Sequence, residues 1–74
     1  MATPTKPISE LDVVRLQVAY PEAGLPVGAI GAVVLVHERG AAYEVEFMRP
    51  DGETQAVLTL PAAEVATVET YNSN

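Results

Sequence analysis

Seventy-four residues without a cysteine make one small domain that must be held by packed aliphatic side chains, because disulfides and thiolate metal sites are excluded. Ten acids against four bases leave a formal net charge of −6, which opposes binding to phosphate backbones and suits solubility or a basic partner. Met1–Pro7 has no apolar stretch of the signal-peptide kind and no apolar run approaches the ~20 residues of a membrane helix, so a cytoplasmic location is expected.

The opening MATPTKPI is polar and proline-broken, and residues 1–9 are expected to form a flexible tail. Ser9 to Asp12 can open a helical turn, with Ser9 as cap and Asp12 as its partner. The folded domain is placed at residues 10–69, and residues 70–74 are expected to be a second loose tail. The β-branched run after Leu11 predicts a first strand over Asp12–Gln17. Val18–Val27 holds two prolines and a glycine, so no regular element runs through it, and it reads as a long loop.

Gly28 to Phe47 reads as a β-hairpin turning at Glu38-Arg39-Gly40-Ala41, with Gly40 free to take a positive φ. That turn pairs His37 with Ala42, Val36 with Tyr43, Leu35 with Glu44, Val34 with Val45, Val33 with Glu46 and Ala32 with Phe47. Alternation then sends Ala32, Val34, Val36, Tyr43, Val45 and Phe47 to one apolar face. Val33, Leu35, Glu44 and Glu46 take the other.

A second turn is predicted at Arg49–Glu53, with Pro50 first and Gly52 left-handed. In the strand that follows, Thr54–Leu60, the apolar count favours Ala56, Leu58 and Leu60 inward, which requires a bulge, placed at Gly52. Pro61–Glu64 suits one helical turn and Val65–Glu69 a last strand. The fold class is therefore all-β. The element order matches a small five-stranded SH3-like barrel with a single helical turn before the last strand.

Leu11-Asp12-Val13-Val14, Gly24 to Gly31, Tyr43 to Phe47, Asp51-Gly52 and Leu58-Thr59-Leu60 together resemble a family of short bacterial proteins known as a domain of unknown function. The resemblance spans residues 10–68. It implies the barrel fold, carries no catalytic residues, and associates such proteins with toxin-like partners. Gly28 to Val33 also resembles KOW-type modules, which contact RNA or protein. The same barrel forms the last domain of nitrile hydratase β chains and a small photosystem subunit, so fold alone does not decide function.

No enzymatic constellation is expected, nor any cofactor or metal. His37 is the sole histidine and lacks a second group for acid–base work, so a solvated strand end is the plainer reading. Glu44 and Glu46, about 7 Å apart along a strand, read as the wet side of an amphipathic strand before they read as a carboxylate pair. Gly24, Gly28 and Gly31 lack the following helix and lysine of a phosphate loop, and suit close backbone approach at a corner instead. Tyr20, Pro21 and Tyr71 are a thin remnant of a proline-recognition groove.

The favoured reading is a non-enzymatic module that binds a protein with a basic surface, in the manner of an antitoxin, an immunity protein or an accessory subunit. Val33, Leu35, Glu44 and Glu46 are its expected contacts, with Tyr20 and Leu25 from the long loop. The alternative is KOW-like nucleic-acid binding through a basic strip at Arg15, Arg39 and Arg49, although the net charge makes a nucleic-acid partner the less favoured of the two.

Overall fold

The computed structural model describes residues 7–68; most of the expected N-terminal tail, Glu69 at the expected end of the last strand, and the whole expected C-terminal tail with Tyr71 lie outside this range. The described chain is all-β, with helical structure only as 3-10 turns. Strands β1 (Val13–Leu16), β2 (Ile30–His37), β3 (Ala42–Met48), β4 (Thr54–Pro61) and β5 (Val65–Thr67) form one antiparallel sheet in the order β4-β3-β2-β1-β5.

The expected barrel is not closed: among the described residues β4 pairs only with β3, and β5 only with β1. The long loop reaches across this gap. Gln55 Nε2 donates to the Ala23 and Gly24 carbonyls at 3.0 and 3.1 Å, and the Tyr20 hydroxyl donates to the Glu64 carboxylate. These side-chain bonds tie the loop to the start of β4 and to the turn before β5.

A one-sided core draws the sheet around itself. Val14, Leu16, Val33, Tyr43, Val45, Phe47, Leu60 and Val65 are buried, so every strand contributes, and Leu25 joins them from the loop. Ile8, Tyr20, Val36, Ala56 and Leu58 pack half-buried against this cluster. Ile8 therefore belongs to the packed domain, although the sequence places it in a tail.

The hairpin register begins as expected, with His37, Val36 and Leu35 opposite Ala42, Tyr43 and Glu44. It then shifts by one: Val33 faces Val45 and Ala32 faces Glu46, with Val34 bulged out. Because side chains alternate, one extra residue reverses the faces of everything N-terminal to it. Val33, expected outside, is buried, while Val34, expected inside, is 40% exposed. Ala32 turns outward with it and lines the outer hollow described below.

The bulge lets β2 bend between two partners, β3 along its second half and β1 along its first. It also turns Gly31 inward, where a Cβ would lie 2.7 Å from Val45 Cγ1 and 2.9 Å from Phe47 Cδ2. Only glycine allows β3 to lie that close.

In β4 the inward set is Ala56, Leu58 and Leu60, opposite Phe47, Val45 and Tyr43, as expected. The bulge that permits it sits at Gln55, between Thr54 and Ala56, not at Gly52. The Arg49–Glu53 turn forms as predicted, with Gly52 at φ 92 and the Asp51 carboxylate accepting the Glu53 N–H. The β2–β3 turn is more strained than expected, because Glu38 and Arg39 join Gly40 at positive φ. Each non-glycine residue in that region costs roughly 1–2 kcal/mol. Ser9 and Asp12 close a four-residue turn instead of opening a helix, with Leu11 at φ 75. After Pro61 a single 3-10 turn, Ala62–Glu64, leads into β5.

Candidate functional site

The outer face of the sheet follows from the register. Val13, Ala32, Glu46 and Val57 are successive cross-strand neighbours from β1 to β4. Beside them Arg15 faces Ile30, and Leu35, Glu44 and Thr59 form a second row. Ile30, Met48 and Val57 are 48%, 55% and 48% exposed, so no described element covers them. Val13, Ile30, Gly31, Ala32, Glu46 and Met48 line a shallow hollow of about 220 Å³ in this face. The face is therefore aliphatic with a carboxylate set into it.

Both acids on this face are engaged. The Thr54 hydroxyl donates to the Glu46 carboxylate, which orients it beside the hollow. Glu44 Oε1 lies 3.3 Å from His37 Nε2, with both side chains 35% exposed. A pair so open to water contributes at most about 1 kcal/mol. It follows from the hairpin register, in which residues two apart on facing strands are diagonal neighbours.

Of the residues expected to meet a partner, Leu35, Glu44 and Glu46 lie on this face. Val33 does not, for the bulge puts it in the core. Leu25 does not either: it exchanges both backbone hydrogen bonds with Tyr20, at 2.8 and 3.0 Å, which folds the loop back and buries its side chain. Tyr20 is half-buried against the core, and its hydroxyl is committed to Glu64. That hydrogen bond, ahead of burial and of the nearby negative charge, raises the Tyr20 pKa above its ordinary value. The contacts missed from the sequence are Val13, Ile30, Ala32, Met48 and Val57. The outward parity of Ile30 and Ala32 depends on the bulge and that of Val13 on pairing with β2, whereas Met48 shares the parity of Glu44 and Glu46, and Val57 lies between the inward Ala56 and Leu58.

The described residues assemble no group of metal ligands. No polar or charged side chain is buried among them, and no three His, Cys, Asp or Glu residues come together. Arg39 and Arg49 sit in the turns at opposite ends of β3, roughly 25 Å or more apart by the strand rise, and Arg15 lies on β1. Among the described residues no helix is long and apolar enough to cross a membrane.

No curated protein and no solved structure matches this chain. Residues 10–67 match the family described as Domain of unknown function (DUF4926), nearly the span of the resemblance seen in the sequence. The chain belongs to that family.

Proposed function

We propose that the protein is a cytoplasmic, non-enzymatic protein-binding module that docks the outer face of its sheet on a basic partner surface. The observation that supports this reading is the hollow between Ile30 and Met48, where exposed aliphatic side chains surround the oriented carboxylate of Glu46. An open, shallow face suits the flat core of a protein interface better than it suits a small substrate, which needs enclosure.

The matching partner segment carries an aliphatic or aromatic anchor flanked by Lys or Arg. Its stem would lie on Ile30 and Met48 and its cation at Glu46. The net charge of −6 would speed encounter, while the aliphatic contacts set residence time. Masking a basic surface in this way is what an antitoxin, an immunity protein or an accessory subunit does.

The test is affinity capture with the full chain against Ile30→Glu and Leu35→Glu variants, followed by calorimetric titration of whatever the wild type retains. Both positions are solvent-exposed, so the variants stay folded. Ile30→Glu is expected to abolish capture, and added salt to weaken the wild-type titration. Unchanged capture by both variants overturns the proposed face. A gel shift at low salt gives the nucleic-acid alternative its chance, and none is expected.

A further inference from the structure

The free edge of β4 carries a second, independent feature. Its hydrogen-bonding parity can be worked out from the two ends of the β3–β4 ladder. Ala62 N donates to Ala41 O at 3.0 Å, and Arg49 N to Glu53 O at 2.7 Å. Those bonds flank the Ala42–Pro61 and Met48–Thr54 pairs, which makes both of them non-hydrogen-bonded pairs. Alternation from Pro61 then turns the N–H and C=O groups of Leu60 and Leu58 toward β3, and those of Thr59 and Val57 away from it. Among the described residues no backbone group bonds to Val57 or Thr59 on that free side.

Edges of this kind are ordinarily guarded by charge. β4 has none, since Thr54-Gln55-Ala56-Val57-Leu58-Thr59-Leu60-Pro61 contains no ionisable residue. It is guarded only at its ends. Pro61 has no N–H to offer, and the bulge at Gln55 is tied by its side chain to the long loop. The open window is therefore Val57 to Thr59.

We propose that this window pairs with the same window of a second copy, antiparallel, about a two-fold axis at Leu58. Val57 of each copy then faces Thr59 of the other. Both free N–H groups and both free C=O groups on each chain are satisfied, giving four backbone hydrogen bonds between the copies. A register centred on Val57 satisfies only half of these, because it sets Thr59 against the bulged Gln55. In the favoured register Val57 and Thr59 meet as a β-branched pair, and the half-exposed flanks of Ala56 and Leu58 are covered. Each copy carries a net charge of −6, so the two repel at long range and salt strengthens their association.

The test uses the full chain. Sedimentation equilibrium from micromolar to millimolar protein is expected to show the mass rising toward twice that of the monomer, more readily at high salt. Amide exchange read by NMR is expected to slow at Val57 and Thr59 as concentration rises, with Leu58 unchanged. Thr59→Pro deletes a free-side N–H that β3 does not use, and is expected to keep the chain monomeric. Thr59→Lys leaves the backbone intact and lowers the net negative charge, yet is also expected to abolish the dimer. A wild type that stays monomeric at millimolar concentration overturns the proposal. So does a dimer that survives both variants, and so does protection of Val57 and Thr59 that is the same at every concentration. Thr59 does not line the Ile30–Met48 hollow, so the Thr59 variants test the edge while leaving the lining of that hollow unchanged.

Discussion

Truncating Val33 and Val34 to alanine, one at a time, tests the bulge that sets the outer face. The two residues are adjacent and identical, and the loss of strand propensity on Val→Ala is common to both. Their difference therefore reads burial alone. Val33 is 0% exposed and Val34 40%. At Val33 two buried carbons are lost, about 1.6 kcal/mol at ~0.8 kcal/mol per carbon. The space left among Val45, Phe47 and their neighbours adds up to roughly 1 kcal/mol at ~24 cal/mol per Å³. Val33→Ala should thus cost about 2–3 kcal/mol, a large share of the few kcal/mol that a domain this small holds. Val34→Ala should cost under about 0.5 kcal/mol beyond the shared propensity loss. Urea unfolding followed by far-ultraviolet circular dichroism measures both, provided the slopes agree. Equal costs, or a larger cost at Val34, would mean an unbulged register and would return Val33 to the outer face.

Gly31→Ala places a Cβ within 3 Å of Val45, Glu46 and Phe47 atoms, and is expected to cost about 1–3 kcal/mol in the same urea assay. Gly28→Ala meets no such neighbours, so a loss there reflects only its positive φ. The Tyr20–Glu64 bond contributes stability while the phenol is protonated. Because the folded pKa lies above the unfolded one, that contribution is whole below about pH 10 and is lost as pH rises through the folded value. Urea midpoints taken across that alkaline range should fall more for the wild type than for Tyr20→Phe. Parallel curves would show that the bond does not couple to stability.

What could be read from the chain depended on contrast within each strand. β3 alternates Tyr43-Glu44-Val45-Glu46-Phe47 without a break, so its two faces were plain and the acids fell outside as expected. β2 runs Ala32-Val33-Val34-Leu35-Val36, apolar at both parities, and a one-residue shift leaves no trace in such a run. The bulge at Val34 was invisible for that reason, and with it the outward turn of Ile30 and Ala32. In β4 the apolar count placed Ala56, Leu58 and Leu60 correctly. The bulge settled at Gln55 because that side chain bonds loop carbonyls more than thirty residues away, a contact with no local signature. Leu25, between two loop prolines, is buried by a backbone bridge to Tyr20, which no local pattern announces. Closure did not follow from strand count alone: among the described residues β4 pairs only with β3 and β5 only with β1, and the long loop is tied to Gln55 and to Glu64 by side-chain bonds instead.

The outer face can be tested directly by mapping backbone amide shifts of the labelled full chain as the captured partner is added. The largest changes are expected at Val13, Ile30, Ala32, Glu46 and Met48, with the Tyr20–Leu25 loop nearly still. Changes centred on that loop and on the Ala62–Glu64 turn, with the sheet face unmoved, would contradict it.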